Sequence, residues 1–320
     1  MALELIRDKW ANKINELTIG ASQEEGGTRS KSVKVGGETT LPFLFNEGDM
    51  PNRPVVAMEV WDVEPKWPAS LKEPFGDALK DPSIWAKRCV EEFKADLICL
   101  KLQGAHPENA GRSPEDCEKT VRSVLDAVKV PLIILGSGDN EKDNVVLPKA
   151  SHAAKGERCL MGFALQDNYK TLTVSCNADG HSVIALAPID INIAKQLNIL
   201  ITDMDFDPAR IVIYQTTTSL GYGMEYVYSI NERTRIAGLS GDKMMAMPMI
   251  AMVGQEVWRV KEASAPKTDE PAWGDEKERG PAWEAATAAA LLQSGTDILV
   301  MRHPKAVSTT LRTIDELMKG

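Results

Sequence analysis

DLICLKLQGAHPENAGRSPEDCEKTVRSVLDAVKVPLIILG, Asp96 to Gly136, carries two apolar runs with a helix's length of chain between them. DLICLKL (Asp96–Leu102) and PLIILG (Pro131–Gly136) are nearly continuous in apolar residues, the pattern of parallel strands buried on both faces. Between them, Ser113-Pro114-Glu115-Asp116 reads as a helix start, with a capping serine, a proline at the first helical position and acids in the first turn. Cys117, Val121, Val124, Leu125 and Val128 then recur at helical spacing. They form one apolar stripe, so the helix lies on the sheet with its other face in water.

The unit repeats along the chain. VVAMEV (Val55–Val60) precedes it, and CLMGFA (Cys159–Ala164), SVIALAP (Ser182–Pro188), IVIYQT (Ile211–Thr216), PMIAMV (Pro248–Val253) and DILVMR (Asp297–Arg302) follow. Asp190 opens a helix with Ile191, Ala194, Leu197 and Ile201 on one face, and Val307, Leu311, Ile314 and Met318 mark a last one. Eight strand–helix units predict an α/β fold, a closed (β/α)8 TIM barrel, over residues 54–320. An open doubly wound sheet is the alternative, but it would normally bring a recognisable phosphate loop. Residues 1–53 form an N-terminal extension. It is expected to hold a helix over Ala2–Leu17 and a Gly-rich hairpin within Ser32–Phe43, placed to plug the bottom of the barrel. The insertion Ala263–Pro281, with Pro266, Pro271 and Pro281 among many charges, reads as an exposed loop, after which Trp283–Gln293 resumes a helix.

Of the 320 residues, 43% are hydrophobic and 26% charged, a globular profile. The net charge of −9 argues against a nucleic-acid-backbone reader and against docking on an anionic membrane. No signal-peptide pattern opens the sequence and no run reaches a membrane span, so a cytoplasmic location is expected. Cys89, Cys99, Cys117, Cys159 and Cys176 are scattered, which fits reduced buried thiols rather than a cluster held by this chain alone.

Glycine is never followed by lysine, so there is no P-loop, and there is no H-E-x-x-H. Gly136-Ser137-Gly138 matches only half of a dinucleotide loop. The four histidines, His106, His152, His181 and His303, fall at four separate places. Asp179-Gly180-His181 shares the Asp and His of the corrinoid motif D-x-H-x-x-G, but Ile184 stands where the glycine should be, and His181 is expected in an exposed turn.

In barrels of this kind the chemistry collects at the C-terminal strand ends. Here those ends present Glu59, Trp61 and Asp62; Lys101, Gln103, Gly104 and His106; Gly136, Ser137, Gly138, Asp139 and Asn140; Gln166, Asp167 and Asn168; Asp190 and Asn192; Gly254 and Gln255; and Arg302 and His303. The sixth strand runs into Gln215, Thr216, Thr217, Thr218, Ser219 and the Gly221-Tyr222-Gly223 turn, far more polar positions than a surface turn requires. Glu59 could act as an acid or base, or pair with Lys101 as a structural ion pair; Asp190 could do so too, or cap a helix. Lys101 could form a Schiff base as in aldolases, and His106 could shuttle a proton. Trp61 and Trp67 could be loop packing or a stacking surface. The rim lacks a clear nucleophile–base pair. Its amides and hydroxyls suit a large, neutral, polar-edged ligand or another protein's surface.

ADLICLKLQGAHPENAGRSPEDC (Ala95–Cys117), PLIILGSGDNEKD (Pro131–Asp143), ALAPIDINIAKQLNI (Ala185–Ile199) and IVIYQTTTSLGYGMEY (Ile211–Tyr226) resemble the small subunit of the corrinoid iron–sulfur protein, the acetyl-CoA decarbonylase/synthase delta-subunit family. The opening MALELIRDKWANKI and VVAMEVWDVEPKWP look similar too, so the likeness runs nearly end to end. The resemblance implies a barrel like those of pterin-binding methyltransferases, in a heterodimer with a large subunit that carries the [4Fe–4S] cluster and a corrinoid domain. It implies cobalamin held between the subunits against the top of this barrel. Methyl groups would come from methyltetrahydrofolate by way of its methyltransferase and leave to acetyl-CoA synthase, with a reductive activator as a further partner. The chain would then be a methyl-carrier subunit without catalytic residues or metal ligands of its own. Gln215, Thr216, Thr217, Thr218, Ser219 and Gly221 are the first choice for corrin contacts, because small hydroxyls and glycine allow close approach. Gly136, Ser137, Gly138 and Asn140 are the second. A pterin-dependent methyltransferase using Asp139, Asn140, Asp167, Asn168 or Asp190 is the alternative, and an aldolase-like enzyme using Lys101 is a third.

Overall fold

A computed structural model describes residues 7–320. Two strands precede the barrel, β1 (Glu16–Ile19) and β2 (Val33–Gly36). The barrel strands are β3 (Val55–Trp61), β4 (Leu97–Lys101), β5 (Leu132–Leu135), β6 (Leu160–Ala164), β7 (Ser182–Leu186), β8 (Ile211–Tyr214), β9 (Ile250–Ala251) and β10 (Ile298–Met301). They pair in parallel in the order β8-β7-β6-β5-β4-β3-β10-β9. An isolated bridge between Ile213 and Met249 joins the two ends, with the Ile213 amide donating to the Pro248 carbonyl at 2.9 Å. The sheet is thus the closed eight-stranded barrel that the apolar runs predict.

The helices return the chain between strands. α1 (Ala69–Lys72) and α2 (Pro82–Glu91) follow β3, and α3 (Pro114–Ala127), α4 (Asn140–Ala153), α5 (Tyr169–Asp179), α6 (Ile191–Thr202) and α7 (Met224–Leu239) follow β4 to β8 in turn. β9 leads into α8 (Val253–Val257), α9 (Lys261–Ser264) and α10 (Glu276–Gln293), and β10 into α11 (Pro304–Leu317). Ser113 caps α3 as its sequence predicts, accepting from the Asp116 amide at 3.2 Å, with Pro114 at the first helical position. Outward strand residues such as Val56, Met58, Ile98 and Leu100 pack against these helices. The inward set, including Ala57, Leu97, Ile133, Leu160, Ile184, Val212 and Val300, fills the barrel. None of the described helices is long and apolar enough to cross a membrane.

The extension differs from the expectation. Residues 2–6 of the expected helix lie outside the described residues; residues 7–15 are not helical, and Glu16–Ile19 is strand β1. The hairpin within Ser32–Phe43 does not form either: β2 pairs antiparallel with β1, from Glu16 opposite Gly36 to Ile19 opposite Val33. Long-range partners decide this. The Ile14 amide bonds the Glu38 carbonyl at 2.9 Å and the Asn15 amide bonds the Ala246 carbonyl at 2.8 Å, so backbone groups that a helix would pair locally are paired across the fold. Leu17, Ile19, Val33 and Val35 then join the inward barrel cluster, and the ribbon plugs the bottom of the barrel.

Buried charges fasten this plug. Arg29 pairs with Glu157 at 2.8 Å and donates to the Leu125 and Val128 carbonyls. Arg235 of α7 sits between Asp297, at 2.7 Å, and Glu38 of the extension, at 3.4 Å.

The insertion is only partly the exposed loop that its prolines suggest. Ala263, Ala265, Gly280 and Pro281 at its two ends are buried, and α10 starts at Glu276, ahead of Pro281. The stretch from Lys267 to Asp275 is mostly exposed, with Trp273 flanked by Lys261 and Arg279. Replacing Lys267–Asp275 by a short Gly-Ser link is expected to remove these two cation–π contacts, the exposed Lys261–Glu270 ion pair and the Asp275 cap of α10, together about 2 kcal/mol. Thermal melting should therefore fall by only about 4–8 °C; a loss of about 15 °C would show that the loop supports the core.

Candidate functional site

The mouth of the barrel divides into a charged, tryptophan-walled side and a hydroxyl-rich side. On the first, β3 ends in Glu59 and Trp61, and β10 is followed directly by Arg302. Arg302 grips Glu59 through two bonds, Nε to Oε2 at 2.8 Å and Nη2 to Oε1 at 2.9 Å, and the Trp61 indole donates to Oε1 at 2.5 Å. Glu59 and Arg302 are both buried. The expected Glu59–Lys101 pair is therefore replaced by Glu59–Arg302, whose planar fork matches a carboxylate in two bonds where an ammonium offers a point charge. Burial pushes the Glu59 carboxyl up, but the charge and bonds of Arg302, with Lys101 and Trp61, outweigh it and hold the pKa below the usual carboxylate value. The Arg302 guanidinium lies 4.7 Å from the Trp67 ring centroid and 5.6 Å from that of Trp61.

Lys101 ends β4 beside this pair. Its ammonium donates to Gln255 Oε1 at 3.2 Å and stands 5.3 Å from the Trp61 ring centroid. An open cleft of about 460 Å³ lies above, lined by Trp61, Lys66, Trp67, Lys101, Arg259 and Arg302 among others. Gly254 lets α8 come this close, since a Cβ there would stand 2.6 Å from Arg302 Cγ.

Glu284 of α10 supports the Arg302 segment from behind. Its carboxylate accepts the Arg302 amide at 2.6 Å, the His303 amide at 3.1 Å and the Trp258 indole at 2.8 Å. Burial raises its pKa to about 7 against the pull of those donors. His303 stacks on Trp258 and caps α11, accepting from the Lys305 amide at 3.1 Å; burial and the nearby Lys305 charge lower its pKa to about 4. The sequence reading did not single out Glu284. A signal was present: Glu284, Thr287, Ala288 and Leu291 recur at helical spacing, so an acid stands on the core stripe of α10.

On the other side, the hydroxyl run after β8 alternates. Gln215, Thr217 and Ser219 are buried, whereas Thr216, Thr218 and Leu220 are half-buried and Gly221 is exposed. The buried members are tied to the framework. Gln215 donates to Thr234 Oγ1 at 3.1 Å, Thr217 Oγ1 accepts the Met252 amide at 2.9 Å, and Ser219 Oγ accepts the Trp283 indole at 2.8 Å. Gln215 Oε1 and Thr218 Oγ1 are shielded atoms with no hydrogen-bond partner among the described residues. Thr216 takes a φ of 122°, rare for a β-branched residue. Thr218, Ser219 and Tyr222 line a hollow of about 320 Å³ that shares Arg259 with the charged cleft.

Gly136 to Asn140 form a self-contained turn. The Asp143 carboxylate accepts from the Ser137 amide and hydroxyl at 2.7 and 2.8 Å and from the Gly138 amide at 3.0 Å. A Cβ on Gly136 would stand 2.3 Å from that carboxylate, so this wrap needs glycine. Asp139 caps α4, and Gly138 and Asn140 are exposed.

The remaining rim residues are mostly structural. Asp62 accepts from the Gly104 amide at 2.7 Å, Asn168 bonds the Leu165 amide and the Phe163 carbonyl, and Asp190 caps α6. Gln103 reaches the Ser137 carbonyl at 3.3 Å, His106 accepts the Glu108 amide in a loop, and Gln166, Asp167 and Asn192 are exposed. His181, expected in an exposed turn, is fully buried at the bottom of the barrel. Its ring accepts from the Cys159 amide and bonds the Ser151 carbonyl, and burial lowers its pKa. The five cysteines are buried and unpaired, and no cluster of His, Cys, Asp or Glu suited to a metal occurs among the described residues.

Comparison with known proteins gives consistent likenesses. A family model described as CO dehydrogenase/acetyl-CoA synthase delta subunit matches residues 16–306. The acetyl-CoA decarbonylase/synthase complex subunit delta of Methanosarcina mazei is 37% identical over 319 residues, covering 98% of this chain and 72% of its own length. The subunit of the same name from Methanothermobacter thermautotrophicus is 40% identical over 292 residues, 91% of this chain and 73% of its own. Among solved structures, a Coxiella burnetii dihydropteroate synthase in complex with pteroic acid has a TM-score of 0.56 at 11% identity, covering 88% of this chain and 99% of that one. The Xanthomonas albilineans dihydropteroate synthase with 4-aminobenzoic acid scores 0.55 at 13% identity, over 87% and 96%. These last two share the barrel fold.

Proposed function

The chain belongs to the CO dehydrogenase/acetyl-CoA synthase delta subunit family, and from that premise we propose that it is the small subunit of a heterodimeric corrinoid iron–sulfur methyl carrier. In this reading the cobalamin rests between the barrel mouth and a large subunit, which alone holds the [4Fe–4S] cluster. The other partners are the methyltetrahydrofolate methyltransferase, acetyl-CoA synthase and a reductive activator. The corrinoid, when bound, supplies the cobalt that accepts and gives up the methyl group. The chain's own residues shape the surface on which it rests.

The unsatisfied Thr218 hydroxyl at the mouth is the observation that carries this reading. A shielded polar atom without a partner is costly unless a ligand or water completes it. Corrin edges carry amides that can meet such hydroxyls. The alternation after β8 divides the work. Gln215, Thr217 and Ser219 hold the loop, leaving Thr216, Thr218 and Gly221 to face a ligand. The φ of Thr216 supports the division, because backbone held in a sparsely populated region recurs at binding sites. Gly138 and Asn140 offer a second exposed edge across the mouth. The pterin-methyltransferase alternative draws less support, since Asn168 and Asp190 are occupied in holding their own loops.

The test replaces Thr216 and Thr218 together by valine in the heterodimer, which keeps the side-chain shape and removes only the hydroxyls. Cobalamin retention is expected to weaken about tenfold, from two bonds worth roughly 0.5–1.5 kcal/mol each. Affinity for the corrinoid-free large subunit and the melting temperature should change little. Unchanged retention would assign the hydroxyl run another role. Tight binding of methyltetrahydrofolate to the isolated chain would favour the pterin enzyme instead.

A further inference from the structure

We infer that the tryptophan-walled cleft between the ends of β3, β4 and β10 is a separate binding site for an oxyanion, a phosphate or carboxylate group on a small molecule, with Lys101 as its anchoring cation. The inference goes beyond the corrinoid reading and does not depend on it. The first observation is charge. The protein carries a net −9, yet the cleft is lined by Lys66, Lys101, Arg259 and Arg302 against a single lining acid, Glu64. Glu64 is already engaged with Lys72 at 2.5 Å. Low-dielectric walls around one sign of charge concentrate counter-ions, and three indoles, Trp61, Trp67 and Trp258, form those walls.

The second observation is that the cations are not equally satisfied. Arg302 is committed to Glu59 through two bonds, and Arg259 is held by Glu256 at 3.1 Å. Lys101 forms no ion pair among the described residues. One amide oxygen, Gln255 Oε1 at 3.2 Å, is its only hydrogen-bond acceptor there. An ammonium has three donors, so two remain for a ligand. Burial lowers the Lys101 pKa, although the Glu59 charge partly restores it, and an arriving anion would relieve the same penalty. Lys66, exposed at the rim of the cleft, likewise has no ion-pair partner among the described residues and can close over an anion from the side. The adjoining Gln103, Asn109 and Gln255 offer neutral amides for the rest of the ligand.

The experiment uses the whole chain without corrinoid and two probes, inorganic pyrophosphate and glutarate, in about 100 mM KCl to screen non-specific attraction. Calorimetry and tryptophan fluorescence read the binding. At least one probe is expected to saturate, and which one does so identifies phosphate or carboxylate as the chemistry. Lys101→Met is expected to weaken it about tenfold or more, the loss of a charge-assisted bond. Lys101→Arg should retain most of the affinity. Lys66→Met, at an exposed position that poses no risk to folding, should weaken binding several-fold. Failure of both probes to saturate would overturn the proposal. So would Lys66→Met and Lys101→Met proteins that bind as the wild type does. Neither result would bear on cobalamin retention by the heterodimer, so the two readings fail separately.

Discussion

Replacing Arg235 by methionine is expected to destabilise the protein by about 4 kcal/mol, within the range for removing one member of a buried ionic group. Arg235 is buried on α7 and joins three separate segments of chain. It donates to Asp297 at 2.7 Å just before β10, to Glu38 of the N-terminal extension at 3.4 Å, and to the Gly295 carbonyl. Methionine fills similar space but leaves two buried carboxylates facing each other. Asp297 keeps the Met249 amide as a donor at 2.7 Å, so Glu38 is the group left with least. Burial already raises the Glu38 pKa well above the usual value, with the Asp297 charge adding to it and Arg235 opposing it. Without Arg235 the rise is larger. A carboxyl whose folded pKa lies above its unfolded value binds more protons when folded, so stability falls as pH rises between the two. The variant should therefore be least impaired in mild acid and lose ground towards neutral pH more steeply than the wild type. Adding Glu38→Gln should flatten that dependence. Urea denaturation at about pH 5 and about pH 7.5 measures both effects; a loss below about 1 kcal/mol at neutral pH would show that the cluster does not fasten the plug.

The barrel was legible because each strand–helix unit declares itself locally. A continuous apolar run, a cap and a stripe at helical spacing need no distant partner to be read, as Ser113 and α3 show. What was not legible depended on contacts between segments far apart in sequence. The stretch before Leu17 has charges and apolar residues at helix-like spacing, yet Ile14 and Asn15 spend their amides on Glu38 and Ala246. His181 sits in a polar turn motif, and only the fold brings the Cys159 amide and the Ser151 carbonyl to its ring. The partner of Glu59 was misassigned for a topological reason. Sequence order makes β4 the neighbour of β3 and so suggests Lys101, but barrel closure sets β10 equally close on the other side, with Met301 opposite Met58. The hydroxyl run was correctly placed at the mouth, while the division between framework and free hydroxyls required the alternation to be seen against Thr234, Met252 and Trp283.

That closure contact yields the second large effect. Arg302→Met is expected to cost about 3 kcal/mol, because it strands the Glu59 carboxylate in a buried position. The loss stays nearer the lower end of the buried-pair range, since the Trp61 indole still donates to Glu59 and Lys101 lies close enough to lower its pKa. Glu59→Met should cost at least as much, as it leaves the guanidinium buried between Trp61 and Trp67 without its paired carboxylate. The double variant should recover about 2 kcal/mol relative to the sum of the two, since an apolar pair of similar size has no charge to desolvate. The pH dependence has the opposite sign to that at Glu38. The Glu59 pKa is held below its usual value, so the pair's contribution is complete above the ordinary glutamate range and is lost only as pH falls through the lowered value. Wild type and variants should therefore differ most at neutral pH and converge in strong acid. The mouth should register the change directly, because Arg302 is the cation packed against both indoles. Tryptophan emission should shift in Arg302→Met even where the protein remains folded. Single losses that simply add in the double variant would mean that Glu59 and Arg302 are neighbours without being coupled.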